Sequence, residues 1–448
     1  MRAGFNIVID PRVVQATRPA WFGTLYCGSM PPTTEPRQPP SRSRRATCFL
    51  IYVLVLVAFT ETAARVLLRV RAHVEPRPAA AASPDPEAAA RALGLDPYEM
   101  IDPRDPSNWR LRPGCRMTLA DVLDGKRRDG HVLAVKYLEA RAPKLGVRRE
   151  ATVISIDQDG YRGPEVDRSH ARFRILAIGD SCTFGTILGE AYPYPRVMES
   201  ELRRLGRDVE VINAGVEGYG PANVLARLEE FKTLKPELTT IYIGWNALYS
   251  ETFMKEGRDL PGRSSALRIL SDAYNKAAAA LDTPQHQALL AYEKPKHPDR
   301  NAPEVAALDD YTPSFMPQLA RVVDGLQSIG SRVALVTLPG LYVMNEAPDA
   351  RTLEKGHLPP FTDNPYVLAR MAERYNDCVR ELGRARGLQV IDLEAWGRRA
   401  LEPRADRFFD AVHLYEEGQR MIGAHLAEAL EPDVPAPAKP FRPVNLDS

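Results

Sequence analysis

The sequence has 448 residues, of which 44% are hydrophobic and 26% are charged. This balance excludes a wholly disordered, collagen-like or polytopic membrane protein. The 59 Lys and Arg residues nearly cancel the 58 Asp and Glu residues, and the body of the chain has no long basic block, so nucleic acid is not expected as a partner. The five cysteines show neither a disulfide framework nor a zinc-ligand spacing.

The first 69 residues are predicted to target and anchor the protein. Residues 1–45 form a basic, proline-rich segment, within which Met30 is an alternative start. Within residues 46–69, the first 15 are uncharged and mostly apolar, and the roughly 20 residues needed to cross a bilayer are reached only if the span continues past Glu61 and Arg65 to about Leu68. Three arginines between residues 42 and 45 favour a cytoplasmic N-terminus. We therefore expect a transmembrane signal anchor and a periplasmic or cell-surface body; a cleaved signal peptide and a buried core helix are the alternatives.

The remaining chain divides by composition and pattern. We expect a Pro/Ala-rich spacer, a small N-terminal extension that packs on the catalytic domain, the catalytic domain itself and a Pro-rich tail, at residues 70–96, 97–172, 173–431 and 432–448. A polar stretch at about 249–313 is expected to be an insertion in the catalytic domain. It either shapes the substrate site or decorates the periphery.

Strands and helices alternate from residue 173 onwards. Short apolar runs predict strands at 173–178, 209–212, 239–243, 333–338 and 388–393. Helical periodicity predicts helices at 194–205, 221 to about 236, 316–329, 367–386 and 416–430. This alternation indicates an α/β fold with one parallel sheet and helices on both faces, in which the loops at the carboxyl ends of the strands form the binding crevice.

Ser181 is the first candidate catalytic residue. It follows the first strand directly, in Gly179-Asp180-Ser181, so its hydroxyl and its backbone N–H are expected to face the crevice. Taken alone, the tripeptide is more typical of a structural strand-ending turn than of a catalytic serine.

Asp410 and His413 strengthen that candidate. A serine hydroxyl needs an adjacent base to take its proton, and the base needs a third group to orient it. Asp410 and His413 lie three residues apart just before the last predicted helix, so one loop can supply both groups.

Two further loops offer donors for an oxyanion. After the second strand, residues 213–220 form a glycine-rich turn whose backbone N–H groups are expected to be free. After the third strand the chain reads Gly244-Trp245-Asn246. Three successive strands therefore each end in a candidate nucleophile or donor.

These four blocks, in this order, resemble the SGNH hydrolases, the GDSL-like lipase and esterase family. The run at residues 154–163 looks like the edge segment of membrane-anchored bacterial members. The resemblance implies a flavodoxin-like three-layer α/β/α sandwich and a mechanism that needs no metal or organic cofactor. It also implies Ser181 as nucleophile, His413 as general base and acid and Asp410 as its orienting group, with an oxyanion hole made by the N–H groups of Ser181 and Gly218 and the side chain of Asn246.

The implied activity is hydrolysis of a short-chain acyl ester, acetyl for example, with an ester or an acylated envelope glycan as substrate. Two alternatives remain open: O-acyl transfer by the same triad, and a non-catalytic glycan-binding or assembly module. One departure bears on them, because the family's third block usually ends in Asn-Asp and this chain has Ala247 in place of the aspartate.

Overall fold

The computed structural model describes most of the chain that follows the predicted spacer. The described residues are 94–129, 149–251, 295–355 and 358–436, together with Glu87, Ala90, Arg91, Val135, Leu138 and Glu139. The predicted anchor at 46–69 lies outside them, as do most of the predicted insertion and the end of the tail. Among the helices in the described part, none has the length and apolar character needed to cross a membrane.

The described residues form nine strands and thirteen α-helices. The strands are β1 (Glu99–Asp102), β2 (Asp105–Leu111), β3 (Arg116–Thr118), β4 (Val153–Ser155), β5 (Phe173–Gly179), β6 (Val209–Gly215), β7 (Leu238–Tyr242), β8 (Arg332–Val336) and β9 (Gln389–Ile391). The helices are α1 (Leu119–Arg128), α2 (Ser181–Phe184), α3 (Tyr194–Arg204), α4 (Pro221–Ala226), α5 (Leu228–Thr233), α6 (Trp245–Tyr249), α7 (Pro303–Ala306), α8 (Met316–Gln327), α9 (Ala350–Leu353), α10 (Pro365–Arg386), α11 (Leu393–Ala400), α12 (Arg404–Arg407) and α13 (Glu416–Leu430).

The five strands β5 to β9 form one parallel sheet in the order β6-β5-β7-β8-β9. This is the flavodoxin-like order, in which the second strand lies outside the first and the remaining strands follow on the other side. The connection from β5 to β6 therefore runs toward one side of β5, and the later connections run toward the other side. The carboxyl ends of β5 and β7, which are hydrogen-bonded neighbours, flank the crevice that such a switch creates.

Helices cover both faces of this sheet. Because the β5–β6 connection runs opposite to the later ones, right-handed crossovers place α3 on one face and α4, α5, α8 and α10 on the other. The packing agrees, since α13 lies against α3, and α8 lies against α4 and α5. The structure thus confirms the predicted α/β fold and its three layers.

Several elements differ in detail from the predictions. The single helix expected from residue 221 to about 236 is two helices, α4 and α5. The break is at Arg227, whose φ of −100° and ψ of 6° depart from helical values and whose guanidinium turns inward to pair with Glu230. The ends of β7, β8 and β9 shift by one or two residues from the predicted positions.

The described residues before β5 include two small antiparallel sheets and the helix α1. Strands β1 and β2 form a hairpin, and β3 pairs with β4. A capping box between Thr118 and Asp121 opens α1, and the apolar face of α1 packs against Ile187 and Phe409 of the later chain. Arg162 forms one bridge to Asn213 on the edge strand β6.

Candidate active site

Ser181 lies at the carboxyl end of β5, as its sequence position predicts. β5 ends at Gly179, and Asp180 caps the next helix by accepting a hydrogen bond of 2.9 Å from the N–H of Cys182. Ser181 is the first residue of α2, which Gly185 ends with a left-handed φ of 81°. This sharp turn exposes the Ser181 hydroxyl at the sheet edge, where 8% of the residue remains accessible.

The structure brings His413 and Asp410 to Ser181. Nε2 of His413 is 2.7 Å from Oγ of Ser181, and Nδ1 of His413 is 2.7 Å from Oδ2 of Asp410. The other carboxylate oxygen of Asp410 accepts the backbone N–H groups of Val412, at 2.9 Å, and of His413, at 2.7 Å. The imidazole also stacks on Phe409, with ring centroids 5.4 Å apart. The loop therefore fixes both the carboxylate and the imidazole ring.

These contacts define the proton arrangement. An ionised carboxylate only accepts hydrogen bonds, so Nδ1 of His413 carries the proton and Nε2 is free to accept the one on Ser181. Burial lowers the pKa of His413, but the charge of Asp410 and its hydrogen bond outweigh burial, and the pKa lies above its ordinary value. Asp410 therefore both orients the imidazole and stabilises its protonated form.

In the turn after β6, more backbone N–H groups are hydrogen-bonded within the protein than the sequence predicts. The N–H groups of Gly215, Val216, Tyr219 and Gly220 are all hydrogen-bonded within the protein, since a compact turn satisfies its buried backbone groups. In contrast, the N–H groups of Ser181 and Gly218 have no acceptor among the described residues. Gly218 has a left-handed φ of 76°, a conformation that favours glycine.

Asn246 approaches the site from the loop after β7. It is the second residue of α6, which follows Gly244, and its side-chain amide donates a hydrogen bond of 3.1 Å to the carbonyl oxygen of Tyr219. Asn246 is thus tied to the same turn that carries Gly218. Ala247, which replaces the expected aspartate, is partly buried against the core.

Ser181, His413, Asp410, Gly218 and Asn246 line one cavity of about 230 Å³. The remaining wall comes from the residues before β5 and from the loops after β5, β6 and α12. Its residues are Asp96, Tyr98, Leu119, Val122, Lys126, Leu138, Ile154, Thr186, Ile187, Glu217 and Phe409. More than half of these wall residues precede β5, so the N-terminal extension is a structural part of this cavity.

A buried group of charged side chains forms one side of the cavity. The carboxylate of Glu217 accepts hydrogen bonds from Tyr98 Oη at 2.8 Å and Thr186 Oγ1 at 2.9 Å, and Lys126 pairs with Asp96. Burial, followed by the charge of Asp96, raises the pKa of Glu217 to about 7, and the ammonium of Lys126 opposes that shift. The cavity therefore contains a carboxyl group, that of Glu217, whose pKa is close to neutral pH.

Comparison with protein-family models identifies the family of this chain. The model of the GDSL-like lipase/acylhydrolase family matches residues 177–421, more than half of the chain. The chain belongs to this family. It is accordingly an ester hydrolase, and the match spans the segments that carry all five site residues.

The chain is also similar to solved structures of ester hydrolases. A lipase/acylhydrolase from Enterococcus faecalis is 20% identical, covers 59% of this chain and 99% of its own, and has a TM-score of 0.36. An acetyl xylan esterase from Geobacillus stearothermophilus is 16% identical, covers 60% of this chain and 98% of its own, and has a TM-score of 0.37. The search of curated proteins found no match.

The contribution of the extension to the cavity wall was not predicted from the sequence. Tyr98 and Lys126 meet Glu217 only in the folded chain, and each lies more than 80 residues from it. No short motif marks them.

The described residues contain no group of three or more His, Cys, Asp or Glu side chains that could hold a metal ion.

Proposed function

We propose that this protein is a serine esterase that removes a short acyl group, such as acetyl, from an envelope glycan through an acyl-enzyme. The observation that carries the proposal is the pair of 2.7 Å contacts that joins Ser181 to His413 and His413 to Asp410. Few other arrangements of side chains activate a serine hydroxyl in this way.

Acylation begins when Oγ of Ser181 attacks the ester carbonyl and its proton moves to Nε2 of His413. The N–H groups of Ser181 and Gly218 and the amide of Asn246 then donate to the oxyanion. Nε2 of His413 returns the proton to the leaving alcohol oxygen as the C–O bond breaks. In deacylation, His413 takes a proton from water, the resulting hydroxide attacks the acyl-enzyme, and the Ser181 hydroxyl is regenerated.

The size and lining of the cavity support a small acyl group and a hydroxylated alcohol. Its volume of about 230 Å³ is below the range of roughly 300–1,000 Å³ that is typical of sites for drug-sized ligands. Tyr98, Lys126 and Thr186 place polar groups in its wall beside the apolar side chains of Leu119 and Ile187. A sugar hydroxyl can hydrogen-bond to such a wall, whereas a long hydrocarbon chain cannot.

Anchoring to the membrane is part of the same proposal and rests on the sequence alone. The apolar run at 46–69 and the arginines before it favour an N-terminal anchor with an extracytoplasmic catalytic domain. In cells that make the full chain, carbonate-washed membranes should retain the protein, and added protease should reach it once the envelope is permeabilised but the inner membrane is intact. Recovery in the soluble cytosolic fraction would contradict this.

The test of the activity is hydrolysis of p-nitrophenyl acetate by the full chain in detergent. We expect Ser181→Ala to lower kcat/KM by at least about 10⁴-fold, whereas Ser200→Ala, at an exposed position on α3, should leave it unchanged. Equal rates for Ser181→Ala and wild type would refute the proposal. Supplying sugar acceptors in the same assay distinguishes hydrolysis from transfer, because transfer yields an acetylated sugar in place of acetate.

A further inference from the structure

The β1–β2 hairpin contacts three consecutive residues of the turn after β6. Nε1 of Trp109 donates a hydrogen bond of 2.9 Å to the carbonyl oxygen of Glu217. The phenol of Tyr219 donates to the carbonyl oxygen of Trp109, and the two rings meet edge to face, with centroids 5.5 Å apart. Trp109 is therefore fixed to both neighbours of Gly218.

The indole of Trp109 also lies directly against Gly218. A Cβ atom added at residue 218 would come within 3.0 Å of Cζ2 of Trp109, so the ring packs on the glycine α-carbon. Together with the left-handed φ of 76°, this contact restricts the plane of the peptide that carries the Gly218 N–H. A donor held in one orientation loses less free energy to reorganisation when charge develops on the substrate.

The side chain of Glu217 contacts the turn that precedes the hairpin and the loop after α2. Its Oε1 accepts a hydrogen bond of 2.8 Å from the hydroxyl of Tyr98, in the turn before β1. It accepts a second, of 2.9 Å, from the hydroxyl of Thr186 in the loop after α2. Asn108, next to Trp109, exchanges two hydrogen bonds with Asn223 of α4, which follows the turn. Residues 217 to 223 are thus held along one side by residues 98 to 109.

Tyr219 connects these contacts to Asn246, another of the proposed oxyanion donors. Its carbonyl oxygen accepts the Asn246 amide at 3.1 Å, while its phenol is tied to Trp109. The chain has Ala247 where an aspartate is expected after Asn246. Holding Tyr219 in place gives Asn246 a fixed acceptor that does not depend on residue 247.

We propose that Trp109 is a positioning residue for the oxyanion hole, acting on Gly218 directly and on Asn246 through Tyr219. This rests on the proposed function, because it assigns Gly218 and Asn246 as the donors of that reaction. The N-terminal hairpin then contributes to the rate of acyl transfer to Ser181 without touching the substrate.

The kinetic test uses Trp109→Phe, which keeps an aromatic ring against Gly218 and removes the indole N–H. We expect kcat for p-nitrophenyl acetate to fall about tenfold with KM changed less than about twofold, because a misplaced donor weakens the transition state more than the ground state. Trp396→Phe is the matched control, since Trp396 stacks on His425 and does not line the cavity; its kcat should match wild type.

The second measurement does not depend on turnover. Hydrogen exchange followed by mass spectrometry should show the peptide that contains Glu217, Gly218 and Tyr219 exchanging about tenfold faster in Trp109→Phe than in wild type, with β5 unchanged. Tyr219→Phe removes the other hydrogen bond between Trp109 and the turn, from the Tyr219 hydroxyl to the Trp109 carbonyl oxygen. It should give the same pattern, and it replaces Trp109→Phe as the test if that variant is poorly folded. Unchanged exchange in this peptide, or a kcat equal to wild type in a folded variant, overturns the proposal.

The two proposals fail in different ways. Hydrolysis by wild type that Ser181→Ala does not reduce would refute the serine mechanism, and the exchange measurement would still decide whether the hairpin orders the turn. Serine-dependent hydrolysis with an unaltered Trp109→Phe variant would refute the positioning role alone.

Discussion

The edge of the parallel sheet and the N-terminal extension both line one cavity, but they do so by different means. At the sheet edge, Ser181, Gly218 and Asn246 follow directly on β5, β6 and β7, so the fold itself brings the reacting groups together. The extension supplies hydrogen bonds from a hairpin and packing from a short helix, to residues more than 60 positions away. In the proposed mechanism the sheet edge supplies the reacting groups, while residues of the extension line the cavity and contact the turn after β6.

Among the variants that test the reacting groups at the sheet edge, Asp410→Asn should have the largest effect on kcat. The amide would present an NH₂ group or a weaker acceptor to Nδ1 of His413 and so favour the wrong tautomer; kcat should fall about 10³- to 10⁴-fold. Asp406→Asn is the control, because Asp406 pairs with Arg351 at the surface, and its kcat should equal that of wild type. A small effect of Asp410→Asn would mean that Ser181 is activated by another route.

Asn246→Ala should have the next largest effect. Removing one of the proposed oxyanion donors should lower kcat about 10²- to 10³-fold, with little change in the melting temperature because the amide is at the cavity surface. Asn301→Ala, at an exposed position, is the control for a lost amide. If the two variants have equal kcat values, Asn246 is not a donor.

The pH dependence should follow the protonation of His413. Protonated His413 cannot accept the Ser181 proton, so kcat/KM should fall about tenfold for each pH unit below the pKa of His413. Because Asp410 raises that pKa above its ordinary value, the half-point in wild type should lie above that of a free imidazole, and Asp410→Asn should move it to lower pH. A flat profile between about pH 5 and about pH 8 would contradict the role of His413.

Leu123→Ala tests the contribution of the extension to stability. We expect it to change the catalytic rate only slightly. Leu123 is buried in the cluster that joins α1 to Ile187 and Phe409, so truncation should lower the free energy of unfolding by about 2–5 kcal/mol. Leu205→Ala, at a residue that is 41% exposed, should change it by less than about 0.5 kcal/mol. Urea denaturation measures both. Equal stabilities would show that the extension does not unfold together with the sheet.

The sequence predicted the sheet edge well because its signals are local. Apolar runs located all five strands of the parallel sheet, and the spacing of Asp410 and His413 reflects their place on one short loop. The break at Arg227 was missed, since its guanidinium is buried over the ring of Tyr161, a residue that only the folded chain brings close. Trp109 was missed for the same kind of reason: its hydrogen-bond acceptor is 108 residues away, and only the folded chain brings the two together.

The central claim is that Ser181 is the nucleophile and that His413 activates it. A fluorophosphonate probe, which reacts covalently with activated serines, tests this directly when labelling is followed by peptide mapping. We expect one adduct, on the peptide that contains Ser181, and labelling that is slowed at least about 100-fold in His413→Ala. Labelling at another serine, or at Ser181 with an equal rate in His413→Ala, would contradict it.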